Sequence, residues 1–442
     1  MSLNDDLARQ LEAARARTLA LLEPLAEPDL LVQHDPLMSP LVWDLAHIGN
    51  YEDLWLLRAL SVLGVGERYD DLYDAFRHPR RTRTSLPLLG PQAARGYLRD
   101  VRERAVDHLA SLTPEVLAGP ERLLADGFVY SMVVQHEHQH DETMLATLQL
   151  MPAPGYAAAI GVPPAPGPLS AAVEALAAEV PAEVFVDGGP FVMGTSDQAS
   201  AYDNERPRHV VDVPAFWIDT TPVTNETYAA FVDGGGYGDA QWWTAAGWAW
   251  RREAGLEHPQ FWCRDGVGWA RDRFGLVEPL PPQEPVQHVC WYEADACARF
   301  LGRRLPTEAE WEKAASWDAV AQGKRRYPWG DDEPSPERAN LGQRRLGPAD
   351  VHALPAGASA YGCLAMLGDV WEWTSSSFAA YPGTVSFPYR EYSEVFYGPD
   401  YKVLRGGSWA THATAVRTTF RNWDYPIRRQ IFAGFRCARD AI

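Results

Sequence analysis

The sequence predicts two domains of different class, an all-α domain followed by an α+β domain. Three observations predict this. Residues 1–151 carry apolar positions at helical spacing, as in Leu7, Leu11, Ala14, Thr18 and Leu21. Residues 152–182 are rich in proline and alanine, with seven prolines between Pro152 and Pro181, which marks a connector. From residue 183 the composition changes. Fifteen of the 17 tryptophans lie beyond residue 200, among many Gly and Pro turns and short β-like runs.

In the first domain, four helices are expected. The first holds Leu7 to Leu21. The second should start at Ser39-Pro40, with Ser as N-cap and Pro in the first turn, and carries Leu41, Leu45, Ile48, Leu54 and Leu57. The third covers roughly Gln92 to Leu112, and the fourth contains His136-Glu137-His138-Gln139-His140. On that fourth helix His136 and His140 are four residues apart, so they project about 40° from one another on one face. This spacing lets two imidazoles reach one metal ion. Gln139 would border the same pocket, whereas His138 points away and Glu142 is off the face. Bundle cores commonly build metal sites from facing helices. His47, on the second helix with Asp44 and Tyr51 as near neighbours, is therefore the natural third ligand. Asp44 is the other candidate, but a carboxylate also suits a partner to a ligand's N–H.

Between the second and third helices lies the basic run Arg77-His78-Pro79-Arg80-Arg81-Thr82-Arg83. Arg80 and Arg83 have the chemistry to clamp a carboxylate, or to form a solvated loop.

The connector should hold a short helix at Val173–Ala178. In the second domain, strands are expected at Val184–Val186, Phe191–Met193 and Val210–Val213. Helices are expected at Thr224–Val232, at Trp291–Leu301 and from Thr307, whose spacing to Glu310 makes a capping box. There is no internal repeat.

Composition narrows the partners. The chain has 442 residues, with 40 basic and 59 acidic side chains and a net charge of −19. A field of that sign argues against nucleic acid and anionic membranes. No apolar stretch is long enough to span a bilayer. The polar N-terminus is not a secretory signal. Cys263, Cys290, Cys297, Cys363 and Cys437 are dispersed, which fits free thiols in a reducing cytoplasm.

Three phrases in the second domain carry a resemblance: Arg304-Leu-Pro-Thr-Glu-Ala-Glu-Trp-Glu312, Gly368-Asp-Val-Trp-Glu-Trp373 and Leu404-Arg-Gly-Gly-Ser-Trp409. With Pro222-Val-Thr-Asn225, Tyr327-Pro-Trp-Gly330 and Gly434-Phe-Arg436, they resemble the formylglycine-generating-enzyme family, a C-type-lectin-like fold, over residues 183–442. Those enzymes use two cysteines between the Gly-Gly-Ser-Trp phrase and the closing Gly-Phe-Arg. Ala410–Ala433 contains none, so that copper chemistry is not implied. The first domain resembles DinB-like four-helix bundles with three-histidine metal sites.

Together the two domains resemble the iron-dependent sulfoxide synthases of ergothioneine biosynthesis, most closely the actinobacterial type. The resemblance rests on Trp43-Asp-Leu-Ala-His47, on His136 to Thr143, on Arg80 and Arg83, on Tyr389 and Tyr392, and on Asn422-Trp423-Asp424. It implies that Fe(II) and O2 join a thiol sulfur to carbon 2 of the imidazole of Nα-trimethylhistidine (hercynine), giving a sulfoxide. It implies His47, His136 and His140 as metal ligands. Gln139, Tyr392, Asn422 and Trp423 would line the hercynine site. Arg80, Arg83 and Asp424 would hold γ-glutamylcysteine, and Tyr389 would donate a proton.

The residues are compatible with that chemistry. Three neutral imidazoles leave iron more positive than a site with a carboxylate, and three of six octahedral positions remain for other groups. Trp423 offers a cation–π face to a trimethylammonium. Three other readings stay open: an ovothiol-type synthase taking cysteine and histidine, a zinc-dependent DinB-like thiol transferase, and a non-catalytic carbohydrate-binding module.

Overall fold

The computed structural model describes residues 2–152, 155–160, 178–266 and 268–441. It divides the chain into two compact units. The first comprises Met1–Val162 with Gln198–Ser200 and Phe274–Leu276. The second comprises Pro163–Asp197, Ala201–Arg273 and Val277–Ile442. Most of the helix expected at Val173–Ala178 lies outside the described residues.

Four long helices build the first unit: α1 (Leu3–Leu22), α2 (Leu41–Glu52), α3 (Pro91–Ser111) and α4 (Phe128–Gln149). Ser2 caps α1 in a capping box with Asp5. Pro91 opens α3 at a position where its missing N–H costs nothing. Helix α2 packs against both α3 and α4, and α1 packs against α4. The start of α2 differs from expectation by one residue: Pro40 occupies the cap position. Ser39 does not cap the helix, because its hydroxyl accepts a hydrogen bond from Arg83 Nη1 at 2.6 Å. Beyond Glu52 the chain widens into a π turn over Asp53–Leu57, so Leu54 and Leu57 leave the α-helical register.

Between the four helices lies a closed ring of buried charges. Arg15 of α1 bonds Glu52 at 2.6 Å and Glu137 at 2.7 Å, and Arg102 of α3 bonds the same two carboxylates at 2.5 and 2.8 Å. Each helix contributes one member. Removing one partner would strand a buried charge, a loss of roughly 3–5 kcal/mol. The ring fixes how α4 is rotated: Glu137 faces the charges, so its neighbour His136 faces elsewhere.

In the second unit, the strand Phe216–Asp219 pairs antiparallel with both Glu183–Val186 and Ala438–Asp440, which ties the unit's two ends together. A four-stranded sheet runs in the order Asn422–Asp424, Lys402–Arg405, Trp371–Ser377, Ala433–Gly434. Gly189–Met193 and His209–Val213 form a hairpin. The expected helices appear at Asn225–Asp233, Trp291–Phe300 and Glu308–Ser316, the first capped by Thr224 and the last by the Thr307–Glu310 box. A helix at Ala245–Glu253 was not legible.

The sequence phrases of this unit are its buried ion pairs. Glu372 accepts from Arg436 at 2.6 and 2.8 Å and from the Trp311 indole at 2.8 Å. Arg405 bridges Glu308 at 2.7 Å and Glu312 at 2.6 Å, and Arg421 grips Glu308 at 2.7 and 2.9 Å. Bidentate Arg–carboxylate pairs hold geometry where regular ladders are short. Gly406, at φ 94°, turns the chain after Arg405; a Cβ there would lie 2.7 Å from the Met366 carbonyl oxygen.

Candidate metal centre and substrate residues

His47, His136 and His140 each place a ring nitrogen within 4.8 Å of the others. Their ring centroids are 4.6 to 5.2 Å apart. The local reason is the one the spacing implied: four residues bring His136 and His140 onto one face of α4, and α2 packs His47 against them.

Each of the three histidines is oriented by α2 or by the segment that follows it. His47 Nδ1 donates to the Tyr73 carbonyl at 2.7 Å, which leaves Nε2 with its lone pair. His140 Nδ1 donates to Asp44 Oδ1 at 3.1 Å. Asp44 is thus the partner of a histidine, and the ligand cluster contains no carboxylate. Trp43 stacks on His47, with centroids 4.6 Å apart and planes 12° apart. Tyr51 stacks on His136 at 3.7 Å and 10°. Trp43, His47 and Tyr51 are four residues apart and form one stripe of α2.

Burial, and then the neighbouring His140, holds His47 and His136 well below the usual histidine range. Both rings are therefore neutral at physiological pH, the form that binds metals. Three imidazoles, two held by hydrogen bonds and one by a ring stack, fit a divalent first-row transition metal.

His138 points off this face, as expected, but it is not at the surface. It is buried, and its Nδ1 lies 3.2 Å from Asp141 Oδ2. Burial lowers it to about 4. Gln139 is half-buried on α4 beside His140.

Arg83 differs from the open clamp that the sequence suggested. It is buried, with its guanidinium carbon 3.4 Å from the centroid of Trp43. Its Nε, Nη1 and Nη2 donate to His78 O, Ser39 Oγ and Ala75 O at 2.9, 2.6 and 3.3 Å. Burial pulls its pKa down to about 10, still well above neutrality. Three of its five N–H groups are therefore engaged, two by its own loop and one by Ser39 at the start of α2. Arg80 is half-exposed and donates to Leu37 O at 3.1 Å.

In the second unit, Tyr389, Tyr392 and Trp423 come together. The Tyr389 and Tyr392 rings meet edge to face at 6.1 Å, and Tyr392 meets Trp423 likewise at 5.9 Å. Trp423 also stacks on Phe378 at 4.1 Å. The strand Asn422–Asp424 alternates, so Asn422 and Asp424 share a face and Trp423 takes the other. Asp424 Oδ1 accepts from Tyr425 N at 2.7 Å and from Arg428 Nε at 3.3 Å.

The stacking roles of Trp43 and Tyr51, the latter expected only as a neighbour of His47, and the Tyr73 carbonyl are the contributions that sequence reasoning missed. The four-residue spacing of Trp43 and Tyr51 about His47 was a usable signal for two of them. The Tyr73 carbonyl had none.

Residues 170–441 match the sulfatase-modifying factor enzyme 1-like domain, and residues 10–144 match the DinB superfamily. The chain is 52% identical over 446 residues to the hercynine oxygenase of Mycolicibacterium thermoresistibile, covering 98% of this chain and 95% of that one. It is 51% identical over 449 residues to the hercynine oxygenase of Mycobacterium tuberculosis, covering all of both. To the formylglycine-generating enzyme of Streptomyces coelicolor it is 34% identical over 310 residues, 63% of this chain and 96% of that one. The first unit is a DinB-like helical domain and the second a formylglycine-generating-enzyme-like domain.

Proposed function

The chain belongs to the hercynine oxygenases, oxygenases of ergothioneine biosynthesis, and we propose that it joins the thiol of γ-glutamylcysteine to carbon 2 of the hercynine imidazole. The product is the sulfoxide. The observation that carries this reading is the cluster of His47, His136 and His140, three imidazoles with no carboxylate among the ligand atoms. Iron(II) held by these three histidines would supply the redox chemistry that couples O2 reduction to carbon–sulfur bond formation.

The chain's own residues do the rest. The Tyr73 carbonyl and Asp44 hold Nδ1 of His47 and of His140, which would leave Nε2 of each ring to hold iron(II). Tyr392, Asn422, Trp423 and Gln139 bind hercynine, whose trimethylammonium suits the aromatic faces of Tyr392 and Trp423. Arg80 and Arg83 pair with the carboxylate of γ-glutamylcysteine, and Asp424 with its amine. Tyr389 Oη gives up a proton as charge develops during O2 reduction, which favours carbon–sulfur bond formation over oxidation of the thiol to a sulfinate.

The test is anaerobic loading with iron(II), then O2 uptake with hercynine and γ-glutamylcysteine, with products identified by mass spectrometry. Sulfoxide formation that needs all four components supports the reading. Turnover with zinc, or binding of saccharides without turnover, would contradict it.

A further inference from the structure

Tyr389 and Tyr392 sit on a segment with little regular structure, a single 3₁₀ turn at Arg390–Tyr392. Its anchor lies nearly two hundred residues earlier in the chain, in Tyr202-Asp203-Asn204-Glu205 of the same unit. All four of those residues are buried. The carboxylate of Asp203 makes two bonds to the tyrosine segment. Oδ1 accepts from the Ser393 hydroxyl at 2.6 Å, and Oδ2 accepts from the Phe387 N–H at 3.2 Å. These two contacts bracket Tyr389 and Tyr392. Asn204 Nδ2 donates to the same Ser393 oxygen at 3.0 Å, and the Tyr202 ring stacks on Tyr392 at 4.2 Å and 21°. Glu205 locks the anchor itself, accepting from Arg417 Nε at 2.7 Å and from Thr419 at 2.6 Å.

We propose that Asp203 is a positioning residue that fixes Tyr389 and Tyr392 by holding both ends of their segment through Phe387 and Ser393. The chemistry requires a carboxylate. Both of its oxygens accept, whereas an asparagine offers one acceptor and one NH2 and loses one of the two anchors. A loop residue held at only one end samples more positions, and a proton donor displaced by about 1 Å loses much of its effect. The role of Asp203 toward Tyr389 rests on the reading of Tyr389 as proton donor; its role toward Tyr392 does not.

The test uses full-length iron-loaded protein carrying Asp203→Asn or Ser393→Ala, the second being the milder change should the first fail to fold. Amide hydrogen exchange over residues 386–393 should accelerate by about tenfold in either variant, with iron affinity unchanged. The sulfinate share of the product should rise toward that of Tyr389→Phe. Asp203→Asn combined with Tyr389→Phe should yield no more sulfinate than Tyr389→Phe alone, because both changes remove one proton donation. Unchanged exchange overturns the proposal. Faster exchange with a native product ratio also overturns it, provided that Tyr389→Phe shifts the ratio. If Tyr389→Phe leaves the ratio untouched, the proton-donor reading fails instead. The anchor is then judged on the hercynine KM through Tyr392: a rise sustains it, and no change overturns it.

Discussion

The ring of Tyr51 lies flat on that of His136, with centroids 3.7 Å and planes 10° apart. His136, packed face to face, cannot swing away from His47 and His140 without losing that contact. Tyr51→Leu is expected to weaken binding of cobalt(II) to the apoprotein by about tenfold, the low end of what ligand-supporting residues contribute. Tyr51→Phe keeps the ring and should bind like the native protein. Absorption titration measures both. Equal affinity in Tyr51→Leu would mean that the stack does not orient the ligand.

His138 separates metal binding from stability. It is on the same helix as His136 and His140 but faces Asp141. His138→Ala should retain one metal per chain and lower the melting temperature, for a loss of about 1–3 kcal/mol typical of a buried polar group. Metal content and thermal unfolding check the two parts. Loss of the metal would contradict the rotation that the Glu137 ion ring imposes on α4.

Arg80 and Arg83 of the basic loop should behave differently. Arg83 is committed to Ser39, His78 and Ala75, so Arg83→Ala should destabilise the first unit as well as weaken thiol binding. Arg80→Ala should raise the KM for γ-glutamylcysteine more than that for free cysteine, with the melting temperature unchanged. Equal effects on the two thiols would leave Arg80 as a solvated side chain.

The legible part of the site was the part set by local geometry. Residues four apart on a helix share a face, so the grouping of His136 with His140 followed from spacing; that Asp44 pairs with His140 across two helices, and not with its helix neighbour His47, did not. The four helices followed from apolar periodicity; the start of α2 shifted by one residue, where Pro40 displaced Ser39 at the cap, and its α-helical part ended at Glu52, short of the expected Leu54 and Leu57. Tertiary commitments were hidden. Nothing in Arg77 to Arg83 marks Arg83 as the one that stacks on Trp43, and nothing near Asp203 marks Ser393 as its partner. The charges of Arg15, Glu52, Arg102 and Glu137 look like solvated faces until four helices enclose them.

Tyr389→Phe removes a hydroxyl and keeps the ring against Tyr392. It should still take up iron, both substrates and O2, while part of the sulfoxide is replaced by the sulfinate of γ-glutamylcysteine. Mass spectrometry gives the ratio of the two products. An unchanged ratio with an unchanged rate would remove Tyr389 from the mechanism.

The most direct measurement is a comparison of the native protein with His47→Ala, His136→Ala and His140→Ala, each stripped by chelator and reloaded anaerobically with iron(II) or zinc. O2 uptake and sulfoxide yield are then followed with hercynine and γ-glutamylcysteine. The account predicts sulfoxide from the iron-loaded native protein alone, with none from the zinc-loaded protein and none from the three variants. Full sulfoxide yield from zinc-loaded protein, or from any one of the histidine variants, would contradict it.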